Sequence, residues 1–171
     1  MKRNILLSTV LLLFTSFSLI AFAQEAELSL TTKITATIEK SEPEWKLDRK
    51  AILPNQIVIR WASEKGRVLV SVAMLASEAK AQEALKSKVN EWEHLPESKV
   101  SKEEIKDFGD EGYLLKIEGA SGVQIFFRKG DCEIQAFGPS EVIARRFAQH
   151  VSDLLPPSNH ALIRTRTRRV P

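Results

Sequence analysis

The sequence predicts an α+β fold, a two-layer domain with an antiparallel sheet of about five to six strands and two helices on one face. Three observations carry that prediction. Runs of alternating apolar and polar residues are joined by short glycine-containing turns, as in antiparallel hairpins. Two later stretches switch to an apolar spacing of three and four, the period of an amphipathic helix. Both of these open on a Ser-Glu pair, Ser77-Glu78 and Ser140-Glu141. A serine oxygen accepts a hydrogen bond from an unpaired first-turn N–H, and a carboxylate suits the positive end of the helix dipole.

The chain has 171 residues, and its start reads as a secretory signal over residues 1–23. Lys2 and Arg3 are followed by an apolar run over residues 5–22. Ala21-Phe22-Ala23 puts small residues where a signal peptidase reads them, so cleavage is expected before Gln24. An uncleaved membrane anchor is the alternative, because the run is nearly long enough to span. Export would place the product in the periplasm or outside the cell. Residues 24–157 are expected to form one domain, long enough for a core of its own.

Within that domain, residues 30–38 are rich in β-branched residues. Ile34, Ala36 and Ile38 alternate with Thr35 and Thr37, which predicts an edge strand or a mobile arm. Trp45, Leu47, Ile52 and Leu53 fit no single period, so residues 45–54 read as an irregular stretch that lays Trp45 over the core. Residues 56–62 form a clear strand, with Ile57, Ile59 and Trp61 on one side and Val58 and Arg60 on the other. Ser63-Glu64-Lys65-Gly66 turns the chain. Residues 67–75 return with apolar side chains on both faces, which predicts a central position.

The first helix expected follows Ser77, with Ala81, Leu85, Val89 and Trp92 as its buried stripe and Pro96 as its end. Residues 97–106 are charged and expected to be exposed. Gly109-Asp110-Glu111-Gly112 is a turn or bulge, and Tyr113, Leu115 and Ile117 share one strand face. Val123, Ile125 and Phe127 then oppose Gln124, Phe126 and Arg128. After the Gly130 turn the strand from Cys132 to Phe137 leads to the second helix, with Ile143, Phe147, Val151 and Leu154 as its stripe. Pro156-Pro157 ends it.

Residues 59–92 and 125–155 share one grammar of strand, Gly turn, strand, Ser-Glu cap and helix. Gly66 corresponds to Gly130. Either this is an internal ββα repeat, or two unrelated units use the same turn and cap chemistry.

Charge argues against a nucleic-acid-binding domain. The balance of 25 basic to 22 acidic residues falls to 23 to 22 without Lys2 and Arg3. Without Arg164, Arg166, Arg168 and Arg169 it becomes 19 to 22, so the basic character sits at the very end of an otherwise acidic body. Residues 158–171 lack periodicity and read as a disordered basic tail, whose arginines can touch phospholipid headgroups of a membrane surface, anionic glycan or nucleic acid.

The chemistry-bearing residues are sparse. Cys132 is the one cysteine, so no internal disulfide forms, and at the start of a strand it reads as a small buried hydrophobe. His94, His150 and His160 stand far apart and match no metal-ligand spacing. Asp107, Asp110 and Glu111 cluster around Gly109, but their spacing matches no calcium loop and suits local hydrogen bonding in a turn. No catalytic residue, metal site or cofactor is expected.

The string Phe108-Gly109-Asp110-Glu111-Gly112-Tyr113, followed by Phe127-Arg128-Lys129-Gly130-Asp131 and the Ser140 helix, resembles small exported bacterial α+β modules. These include lipoproteins and the extracellular sensor domains of receptor kinases. The resemblance spans the last third of the mature chain and implies binding or sensing, with no catalytic residue to carry over. The chain departs from the pattern in lacking a lipid-attachment cysteine and paired cysteines.

The expectation is an exported, non-enzymatic binding or sensing module of the cell envelope that meets a protein or small ligand. Its contacts would be the sheet face or the hairpin tips at 63–66 and 118–122, with Lys65, Arg67, Arg128 and Lys129 supplying positive charge. The alternatives are a small exported hydrolase with a site assembled from distant residues, and a structural or inhibitory partner protein. A cleft with converging polar groups and perturbed ionisable residues would favour the hydrolase, and a shallow apolar patch a macromolecular partner.

Overall fold

A computed structural model describes residues 27–96 and 98–156. The expected signal and the basic tail lie outside the described residues, with Arg164, Arg166, Arg168 and Arg169 among them. Residues 27–41 form helix α1, not the expected edge strand. The alternation that suggested a strand also contains a helical face, since Glu27, Thr31, Ile34, Ile38 and Glu42 are all buried while Ala36 is exposed. Threonine usually disfavours helix interiors. Here Thr31, Thr32 and Thr35 donate their hydroxyls to the carbonyls of Glu27, Leu28 and Thr31 at 2.7, 2.9 and 2.9 Å, so the polar groups are satisfied within the helix.

The elements that follow are β1 (Lys46–Leu53), β2 (Gln56–Ser63), β3 (Gly66–Met74), helix α2 (Glu78–Glu93), β4 (Val100–Ile105), β5 (Glu111–Ile117), β6 (Val123–Lys129), β7 (Cys132–Gly138) and helix α3 (Glu141–Leu154). The strands make one antiparallel sheet in the order β1-β2-β3-β7-β6-β5-β4. Among the described residues, seven strands and three helices thus replace the expected five to six strands and two helices. Two strands escaped the sequence pattern for different reasons. A register shift between Leu47 and Arg49 breaks the two-residue period of β1. β4 is an edge strand whose Ser101, Lys102, Glu103 and Glu104 are exposed, a charged composition that discourages pairing with another chain.

The helices also occupy both faces of the sheet. On the first face, Ile34 and Ile38 of α1 and Ala144, Phe147, Ala148 and Val151 of α3 share a core with Ile57, Ile59 and Trp61, Val68, Val70 and Val72, Ile125 and Phe127, and Ile134 and Ala136. Phe147 lies at its centre, with its ring centroid 5.4 Å from Trp45 and 5.5 Å from Trp61. On the second face, Leu85 and Val89 of α2 pack on Leu115 and Phe126, flanked by Trp92, Val100 and Tyr113. β6 is therefore apolar on both sides because a helix lies on each.

That arrangement corrects the repeat. Ser77 and Ser140 both cap helices, accepting from the N–H of Lys80 and of Ile143, and Gly66 and Gly130 both take positive φ, 126° and 60°. The central strands β3 and β7 pair directly, with Val70 opposite Ala136. Yet α3 folds back on the first face, whereas α2 crosses to the second face and packs on β7, β6 and β4. A rotation that exchanges β3 with β7 would put both helices on one face, so the two units are not symmetry mates.

Candidate ligand groove

With α1 and α3 on the first face and α2 on half of the second, no helix among the described residues covers the second face of β1, β2 and β3. Register places Arg49, Ala51 and Leu53 there, beside Gln56, Val58 and Arg60, then Leu69, Ser71 and Ala73, then Glu133, Gln135 and Phe137 of β7. Arg60 is tied down by Asp48, its Nε 2.5 Å from the carboxylate. Leu53, at 48% exposure, marks the open rim.

Where this bare half meets the side of α2, a groove of about 510 Å³ opens. Its walls are Ala84, Ser87 and Lys88 of α2 on one side and the Pro54–Asn55–Gln56 turn on the other. Ala73 to Ala76 close one end, and Glu133 and Gln135 form the floor. That volume falls within the range of small-molecule pockets, and the groove is open to solvent along its length.

Glu133 is the unusual group in the floor. It is only 3% exposed, and its Oε1 has no hydrogen-bond partner among the described residues. Burial pushes its carboxyl up to about 7, against the hydrogen bond from Gln135 and the charge of Lys88, which act downward. The two cations that face it are each held by another carboxylate. Lys88 Nζ sits 3.1 Å from Glu91, and Arg128 Nη1 sits 2.9 Å from Asp110. Nearby, Gln56 Nε2 donates to Ser71 Oγ at 3.0 Å.

The four cations expected to supply positive charge at the hairpin tips lie at two ends of the sheet. The register of β2, β3 and β7 puts the 63–66 turn at one end of the sheet and the Gly130 turn at the other. Lys65 is exposed and pairs with Glu44 at 2.7 Å, and Arg67 is exposed near it. At the opposite end Lys129 Nζ donates to the Ser152 carbonyl at 2.6 Å, and Arg128 to Asp110 and to the Gly130 carbonyl. The 118–122 turn lies with the 63–66 turn, since Val123 pairs with Gly138.

The acidic cluster is also dispersed. Asp107 binds Arg145 at 2.6 Å, Asp110 accepts from the Gly130 N–H at 2.9 Å, and Glu111 accepts from Tyr113 at 2.8 Å and Gln82 at 3.0 Å. His94 contacts the Asn90 carbonyl at 2.8 Å, and His150 lies 3.3 Å from Glu42. Among the described residues, no three His, Cys, Asp or Glu side chains are grouped to hold a metal ion. Cys132 is buried, and burial together with Asp131 pushes its thiol up to about 12, which leaves little thiolate near neutrality.

Sequence reasoning passed over Glu133 because it alternates correctly. In Cys132-Glu133-Ile134-Gln135-Ala136 the polar residues look like an ordinary wet face. What makes Glu133 unusual is α2, which arrives from elsewhere in the chain and dries that face. No helix of the described residues is long and apolar enough to cross a membrane.

No family model matches the chain, and no curated protein matches it. Among solved structures, the extracellular domain of PknH from Mycobacterium tuberculosis is similar at 11% identity and a TM-score of 0.48, over 77% of this chain and 95% of that one. A likeness of that size establishes neither a shared fold nor a shared function.

Proposed function

We propose that the chain is an exported, non-catalytic binding or sensing module of the cell envelope, and that its ligand site is the groove above Glu133. One observation carries the reading: Glu133, a residue lining a groove of about 510 Å³, holds a buried carboxyl oxygen without a protein partner. Buried polar groups are ordinarily paired, so an exception inside a groove points to something that enters. Export rests on the Lys2–Arg3 start, the apolar run and Ala21-Phe22-Ala23. The two cations that face Glu133, Lys88 and Arg128, are paired with the carboxylates of Glu91 and Asp110. Lys65 and Arg67, at the opposite end of the sheet, are the surface offered to a partner protein, and the basic tail is a peripheral contact to an anionic membrane.

The test is a fragment screen read by backbone amide chemical shifts. Binders should move Ala73, Ala84 and Gln135, and Ser87→Trp, an exposed substitution at the groove mouth, should abolish those shifts while leaving the rest of the spectrum folded. Binders that leave those amides unmoved would place the site elsewhere.

A further inference from the structure

We infer that the groove selects a small organic cation, an ammonium group on an apolar body, with Glu133 as its counter-ion. This rests on the groove being the ligand site and specifies what enters it.

Glu133 shares the second face with Ala73 on β3 and Arg128 on β6, which stand directly opposite it, and with Gln135 on its own strand. From α2 it is faced by Lys88. The Pro54–Asn55–Gln56 turn contributes only neutral groups. Both cations in this set already have partners: Arg128 is committed to Asp110 and the Gly130 carbonyl, and Lys88 to Glu91. Gln135 supplies a single hydrogen bond to the carboxyl. Gln56 gives one amide N–H to Ser71. Oε1 is thus a buried acceptor without a partner on a residue that lines the groove, and the unspent donors around it, Arg128 Nε and the side chains of Ser87 and Asn55, do not reach it.

A ligand anion would meet a second negative charge there. A ligand whose polar end is only an acceptor would require Glu133 to stay protonated. A cationic donor satisfies the oxygen and neutralises the charge together. The rest of the wall matches an apolar body, with Pro54, Ala73, Met74, Leu75, Ala76 and Ala84 around it. Binding the cation favours the ionised carboxyl, so occupation should release a proton where Glu133 is neutral beforehand.

The experiment titrates the protein with hexylammonium, hexanol and hexanoate, following the amides of Ala73, Ala84 and Gln135. Hexylammonium should bind the tightest, and about tenfold more tightly at about pH 8 than at about pH 6, as the carboxyl ionises. Glu133→Gln, which keeps the shape and the hydrogen-bonding capacity, should weaken hexylammonium by about tenfold or more and leave hexanol unchanged. If hexanol matches hexylammonium, or hexanoate exceeds it, the groove stands and the cation inference is wrong. If none of the three moves those amides, the groove itself is not the site and both readings fall.

Discussion

Arg128 and Glu133 are cross-strand neighbours on β6 and β7, yet they do not pair. The guanidinium turns to Asp110 at 2.9 Å, and its own buried Nε is left without a partner, as is Glu133 Oε1. Opposite charges at directly paired positions ordinarily stabilise a sheet. Here the sheet forgoes that contact and keeps a carboxylate reserved beneath a groove.

That reservation should be visible in stability. The folded value of Glu133, about 7, lies above its ordinary 4.5. A raised value means the neutral carboxyl is the favoured native form, so its contribution is complete below about pH 4.5 and lost as pH rises through about 7. Glu133→Gln should therefore be near neutral in acid and stabilising by about 2–3 kcal/mol at about pH 8. Denaturant midpoints at the two pH values measure this, and an equal effect at both would contradict it.

Helix α1 is the element furthest from its sequence appearance, and Ala36 discriminates between the two readings. It is exposed in mid-helix. Ala36→Pro removes a helical hydrogen bond and clashes with the preceding turn, so it should cost about 3 kcal/mol. Proline at a solvent-facing site of an edge strand would be tolerated. Equilibrium unfolding of the variant separates the two, and a loss under about 1 kcal/mol would speak against the helix.

Phe147 ties α3 to Trp45 and Trp61 in the first-face core and is fully buried. Truncation to Ala leaves a large cavity among rings that cannot all shift, and should cost about 3–5 kcal/mol. The second-face groove is remote from it, so a Phe147→Ala protein that still folds should keep its hexylammonium affinity.

Gly109 sets the approach of the loop before β5 to β6. A side chain there would run into the Arg128 carbonyl oxygen and crowd the Phe127 ring. Gly109→Ala should destabilise by about 1–3 kcal/mol through that backbone clash, read as a lowered thermal midpoint. Because the same loop delivers Asp110 to Arg128, the substitution should also release Arg128 toward Glu133 and weaken cation binding.

The parts of this fold legible in the sequence are those where a single local rule decides. β2, β3, β6 and β7 alternate around glycine turns, and α2 and α3 announce themselves with Ser77 and Ser140. The bulge after Leu47 hid β1, the charges of β4 concealed an edge strand, and threonines with internally satisfied hydroxyls disguised α1. The face that each helix covers was not legible, because β6 carries Ile125 and Phe127 on one side and Phe126 on the other. The groove depends on that choice of faces, so Glu133 could not be recognised until α2 was placed over the second face.

The most direct measurement is the carboxyl carbon shift of Glu133 followed by NMR across pH, with and without saturating hexylammonium. A midpoint near 7 in the free protein that moves down when the cation binds is the predicted result. A free midpoint at an ordinary carboxylate value, unmoved by the cation, would contradict the account, because Glu133 would then be neither dry nor waiting for a counter-ion.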